Sequence, residues 1–196
     1  MVLLLAILAG ALWVLIPAYV ANALATLPGG RGPSMDLGRS WPRDGRRVLG
    51  PSKTWSGFLA GVLGGMLVGL IPSELILIAP PSLQIVPRFG TSLAGSLFPL
   101  FLLSAGAMSG DALGSFVKRR WNYASSAPAP LLDQWPFLLV PMALLGFADP
   151  SLFLSAFWPG PLWGLLVLAW VLLLTLFLHT AFNWVGYFIG TKKVPW

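Results

Sequence analysis

Gly110-Asp111-Ala112-Leu113-Gly114-Ser115-Phe116-Val117-Lys118-Arg119-Arg120 closes a long apolar segment and sets a carboxylate where hydrocarbon gives way to cations. An ionised Asp near the middle of a spanning helix costs roughly 2.5–3.5 kcal/mol on insertion scales, so it is rare unless a partner or a metal holds it. With 91–120 helical, Ser104, Met108, Asp111, Ser115 and Lys118 recur every three or four residues and share one stripe. Asp111 then lies about 10 Å below Lys118 along the axis, at about 1.5 Å per residue. Read alone, Asp111 is equally an acid that pairs with Lys118 or Arg119 where the helix meets the headgroups. The rest of the chain decides between the readings.

Of 196 residues, 57% are hydrophobic and only 9% charged, with a mean hydropathy of +0.81. Soluble domains carry about 25% charged residues, so the composition is that of an integral membrane protein. The first segment, Met1-Val2-Leu3-Leu4-Leu5 onward, lacks the basic flank of a secretory signal and reads as a permanent span. With no Cys, disulfides and thiol-ligated zinc or iron–sulfur centres are excluded. One His and six acids leave little material for soluble-enzyme chemistry.

The expected fold is an all-α membrane protein of one domain, 1–196, with five spans near 2–27, 54–79, 91–117, 131–148 and 161–190. The cytoplasmic connections are then 28–53 and 118–130. Eleven of the twelve basic residues fall on one side with the C-terminal tail, which carries Lys192 and Lys193; only Arg88 falls on the other. The positive-inside rule therefore places the N-terminus outside, the C-terminus in the cytoplasm and a polar cavity open to the cytoplasm. The net charge of +6 belongs to this asymmetry and not to nucleic-acid binding.

Small residues mark close helix approach: Gly57, Gly61, Gly65 and Gly69 in the second span, and Gly106, Gly110 and Gly114 beside Asp111 in the third. Before the second span, Arg46, Arg47, Lys53 and Thr54 gather at a helix start, a pattern that suits phosphate oxygens but also suits plain positive-inside charge. Gly45 and Gly50 are followed by Pro51-Ser52 before Lys53-Thr54, so the spacing of a P-loop fails.

Asp133 opens the fourth span at the level of Asp111. It is a plausible helix cap, yet two carboxylates flanking a short hairpin also suit Mg²⁺, which takes one or two carboxylates plus substrate phosphates. Asn22, His179 and Asn183 fall in the same half of their spans and are candidate cavity-lining groups, although a lone His is more often a packing residue. Lys118 and Arg119 complete a basic rim. The arrangement suits a phosphate-headed lipid that meets a soluble, highly anionic partner from the cytosol.

Pro17-Ala18-Tyr19-Val20-Ala21-Asn22, the run from Arg46 to Gly57, Gly110-Asp111 through Arg120, Asp133-Gln134 with Pro136-Phe137, and the end from His179 to Trp196 resemble archaeal CDP-archaeol synthases. The second half is also similar to phosphatidate cytidylyltransferases. Trp135 departs from the family pattern, in which a more polar residue usually stands. The resemblance implies transfer of CMP from CTP to the phosphate of 2,3-di-O-geranylgeranyl-sn-glycerol 1-phosphate at the cell membrane. It implies Mg²⁺ held by Asp111 and Asp133, phosphates held by Arg46, Arg47, Lys53, Thr54, Lys118 and Arg119, and catalytic roles for Asp111, Asp133, Lys118 and Lys53. No nucleic acid and no obligatory protein partner is expected.

Two rivals are weaker. A CDP-alcohol phosphotransferase would need the acids that the second span lacks. A small transporter would carry polar residues through the full membrane depth, whereas here the outer half holds only Glu74.

Overall fold

The computed structural model describes residues 2–28, 30–80, 86–124 and 127–188, together with the backbone but not the side chains of Val2, His179, Phe182, Asn183, Val185 and Gly186. Among the described residues seven helices follow one another: α1 (Val2–Leu24), α2 (Trp55–Ile78), α3 (Leu93–Arg120), α4 (Pro130–Gln134), α5 (Pro136–Ala148), α6 (Pro150–Phe157) and α7 (Pro161–Phe188). Their starts follow local chemistry. Thr54 caps α2 by accepting from the Gly57 amide, and Ser92 caps α3 by accepting from Gly95. Asp149 does the same for α6 through Leu152. Proline stands at the first turn of α4, α5 and α6, where a missing N–H costs nothing.

Among the described residues four helices are long and apolar enough to cross a membrane: Leu3–Leu24, Trp55–Ile78, Leu93–Arg120 and Pro161–Leu178. The expected fourth span, 131–148, differs. It divides at Trp135 into α4 and α5, because Pro136 lacks an amide and its ring excludes the carbonyl four residues back. With 13 residues, α5 extends only about 20 Å at about 1.5 Å per residue. The expected connection 149–160 also contains a helix, α6.

Helix α3 is the axis, packed against α1, α2 and α5. The glycine rows are what let it be. Gly57, Gly61, Gly65 and Gly69 are all buried, and a Cβ on Gly61 or Gly65 would stand 2.8 Å from the Ala21 carbonyl or 2.6 Å from that of Pro17. On the other side of α3, a Cβ on Gly106 would meet the Pro141 Cα at 2.7 Å, while Gly110 and Gly114 lie under the carbonyls of Pro136 and Leu132. Neighbours along each row run antiparallel. The opposite face of α2 leaves Leu59, Leu63, Leu67, Ile71 and Leu75 exposed at every fourth position, a face for hydrocarbon rather than water. Val14, Leu15, Leu100, Leu103, Leu138, Leu145, Phe157 and Val171 form the shared core. Helix α7 is tied to α1 where the Tyr19 hydroxyl meets Thr175 Oγ1 at 2.7 Å; Thr175 donates to the Val171 carbonyl, so Tyr19 is the donor.

Candidate functional site

The site forms where the connection between α1 and α2 folds back onto the C-terminal half of α3. That connection is held by its own backbone: Met35 N donates to the Lys53 carbonyl at 2.8 Å, Trp55 N to Pro33 at 3.1 Å, and Val48 N to Arg39 at 2.9 Å. Asp36 is its hub. The carboxylate has no exposed side-chain surface and accepts two bonds from Arg47 (both 2.9 Å) and one each from the Leu49 and Gly38 amides (both 3.0 Å). The Arg47 guanidinium holds the Asp36 carboxyl well below the usual carboxylate range, the two amides adding to it against desolvation. Asp36 in turn raises the Arg47 pKa.

From that hub the chain descends along α3. The Gly50 amide donates to Ser115 Oγ at 2.9 Å. Lys53 Nζ then reaches Asp111 Oδ2 at 2.5 Å, each side chain about one quarter exposed. Asp111 Oδ1 accepts no hydrogen bond among the described residues. A second pair stands beside the first. Lys118 Nζ donates to Asp133 Oδ1 at 2.8 Å and to the Ala127 carbonyl at 2.7 Å. Asp133 Oδ2 accepts from the Ala129 amide at 2.9 Å, which fixes the carboxylate at the start of α4. Lys118 itself is buried, its ammonium compensated by these two oxygens.

Two cavities share the Lys53–Asp111 pair. One, of about 140 Å³, is lined by Gly50, Ser52, Ser115, Lys118, Arg119 and Asp133 in addition to that pair and is almost wholly polar. The other, of about 300 Å³, opens among α1, α2 and α3 and includes Asn22, Met35, Thr54, Phe58 and Met108. A polar chamber thus adjoins a mixed one, with an acid–lysine pair at their junction. Two carboxylates on one polar wall, one with an unused oxygen, fit a hard divalent ion that completes its shell from phosphate and water. Among the described residues no group of three His, Cys, Asp or Glu comes together, so within them the polar cavity brings two carboxylates to such an ion, Asp111 and Asp133.

Most residues expected from sequence meet here. Asp111, Asp133, Lys53, Lys118, Arg119, Thr54 and Asn22 all line one cavity or the other. Arg46 and Arg47 do not: Arg47 is committed to Asp36 and Ser34, and Arg46 donates to the Arg120 carbonyl. Neither guanidinium lines either cavity: Asp36 and Ser34 hold that of Arg47, and the Arg120 carbonyl draws that of Arg46 to the end of α3. The side chains of His179 and Asn183, and the tail with Lys192 and Lys193, lie outside the described residues. Sequence reading gave no role to Ser115, Gly50, Met35 or Asp36. Their partners are 11 to 65 positions away, and only the hydroxyl in the middle of the Asp111–Lys118 stripe was a visible signal.

Comparison with known proteins finds relatives over nearly the whole chain. The family model described as CarS-like CDP-archaeol synthase matches residues 4–196. The CDP-archaeol synthase of Thermococcus kodakarensis is 42% identical over 186 residues, 95% of each chain. That of Methanococcoides burtonii is 39% identical over 183 residues, 93% of this chain and all of its own. A solved structure of an intramembrane enzyme for archaeal membrane lipids biosynthesis superposes with a TM-score of 0.62 at 31% identity, covering 88% of this chain and 92% of the other.

Proposed function

The chain belongs to the CarS-like CDP-archaeol synthase family, and from that premise we propose how it makes CDP-archaeol. It is a cytidylyltransferase of the membrane. The CMP moiety of CTP passes to the phosphate of 2,3-di-O-geranylgeranyl-sn-glycerol 1-phosphate, giving unsaturated CDP-archaeol and pyrophosphate. The carrying observation is the pair of carboxylates, Asp111 and Asp133, on the wall of one small polar cavity, each beside a lysine.

The attacking lipid phosphate is anionic at neutral pH, so no side chain has to act as a general base. Catalysis then rests on in-line positioning and on neutralising charge at the α-phosphorus and the departing pyrophosphate. Asp111 and Asp133 are the residues that would hold Mg²⁺. When bound, the ion draws charge from the phosphate oxygens and fixes their orientation. Lys53 lies within reach of both cavities and, released from Asp111, offers its ammonium to phosphate. Lys118 and Arg119 face the polar chamber and stabilise the leaving group. Thr54 and Asn22 line the mixed cavity, whose opening among α1, α2 and α3 suits a lipid headgroup entering from the bilayer.

The full placement is five crossings with the N-terminus outside and the site on the cytoplasmic side. It is supported by the antiparallel packing of α1, α2, α3 and α5, the return of α7 beside α1, and the concentration of basic residues at one end. Helices α4 and α5 together make the short fourth crossing. CTP, the isoprenoid ether lipid and the bilayer are the partners; neither nucleic acid nor an obligatory protein partner is invoked.

Purified protein in detergent should release pyrophosphate from CTP only when the isoprenoid glycerol phosphate and Mg²⁺ are both present. Release without the lipid, or undiminished release in excess chelator, contradicts the reading.

A further inference from the structure

Arg120 is the last residue of α3 and faces neither cavity, yet it gathers more of the α1–α2 connection than any residue lining them. Its Nη1 donates to Asp44 Oδ1 at 2.7 Å, and its Nη2 to the Arg47 carbonyl at 2.5 Å and the Arg46 carbonyl at 3.3 Å. Arg46 answers by donating to the Arg120 carbonyl at 2.6 Å. The guanidinium lies 5.0 Å from the Phe116 ring centre and 5.8 Å from that of Trp41. Those two rings meet edge to face at 5.2 Å. A planar fork that serves three oxygens while packed against aromatic faces is a role Lys cannot fill.

This knot is the first of three attachments. Below it come Gly50 on Ser115 and Lys53 on Asp111. On α3 the attachments are five and four residues apart, about 7.5 and 6 Å at about 1.5 Å per residue. On the connection they are three residues apart, Arg47 to Gly50 to Lys53, and three residues reach at most about 10 Å. Pro51 stiffens the second interval by fixing its φ. With so little slack, movement of the upper knot is passed down to the lower two.

We propose that Arg120 is a positioning residue for the transfer reaction: it sets the register of the α1–α2 connection on α3 and so delivers Lys53 to the junction of the two cavities. It acts through Lys53 and does not touch substrate. The proposal rests on the role given to Lys53 above, and its test separates the two.

The experiment is a double-mutant cycle read by calorimetric binding of CTP with Mg²⁺ to the full-length protein in detergent, using wild type, Arg120→Met, Lys53→Met and the double variant. Arg120→Met should weaken CTP binding by about tenfold, the scale of a lost charge-assisted anchor. In the Lys53→Met background the same change should cost less than about twofold, because the route is already cut. Hydrogen exchange at the Gly50 amide should also rise by at least about tenfold in Arg120→Met, since the Ser115 bond loses its register. Equal losses in both backgrounds, or normal CTP binding by Arg120→Met beside an impaired Lys53→Met, would overturn the proposal alone. Normal CTP binding by Lys53→Met overturns instead the role of Lys53 in the reaction. Should Arg120→Met not yield folded protein, Asp44→Ala removes one acceptor of the knot, leaves the carbonyl contacts, and enters the same cycle.

Discussion

Asp111→Asn separates the chemistry of the site from its architecture. In the resting protein Asp111 pairs with Lys53 at 2.5 Å, with about a quarter of each side chain exposed. A pair open to that extent contributes at most about 1 kcal/mol to folding, and an Asn oxygen can still accept from the ammonium. The melting temperature should therefore fall by no more than about 4 °C. The loss in turnover should be far larger, because the change removes the charge of a carboxylate that lines both cavities. Loss of one preorganised electrostatic contact typically lowers kcat by about 10²–10³-fold, or about 3–4 kcal/mol. Two assays read it: pyrophosphate release from CTP with the isoprenoid glycerol phosphate, and Mn²⁺ binding followed by electron paramagnetic resonance with CTP present. Turnover within about threefold of wild type, from protein that melts normally, would refute the assignment of the ion to Asp111.

Other perturbations test the scaffold. Gly110→Ala places a methyl against the Pro136 carbonyl, so overpacking should cost about 1–3 kcal/mol and activity should fall as the start of α5 is pushed from α3. Gly146→Ala is the matched control: its Cβ would meet the Phe153 ring at an ordinary 3.5 Å, and both melting temperature and turnover should hold. Tyr19→Phe removes the hydroxyl that donates to Thr175 and should lower thermal stability by about 1 kcal/mol, read as a shift in melting with kcat unchanged. Asp36 has a folded pKa depressed below its unfolded value of about 3.9. Its stabilisation is therefore complete above about pH 4 and is lost as pH falls below that. The melting difference between wild type and Asp36→Asn should be flat from pH 7 to about pH 4 and shrink in more acid buffer; a difference that disappears already at pH 6 contradicts the arrangement.

How far the sequence could be read follows from the range of the interactions. The glycine rows in α2 and α3 signal close approach locally, and the structure places Ala21, Pro17, Pro136 and Pro141 against them. The Asp111–Lys118 stripe is likewise a property of one helix, and its members do line the cavities. Across 131–148 the apolar run hides the division at Pro136, because hydropathy does not register a missing amide. Arg46 and Arg47 looked like free cations since their captors, Asp36 and the C-terminal turn of α3, are set by the folding of the connection. The grip of Arg120 on Asp44 spans 76 positions and leaves no periodic trace.

Where a divalent ion sits once nucleotide is present tests the assignment of Asp111 and Asp133 most directly. A structure of the protein with CTP and Mn²⁺, its metal located by anomalous scattering, should place the ion between Asp111, Asp133 and the phosphates, with Lys53 turned from Asp111 towards an oxygen of CTP. An ion bound away from both carboxylates, or CTP bound while Lys53 still caps Asp111, would contradict it.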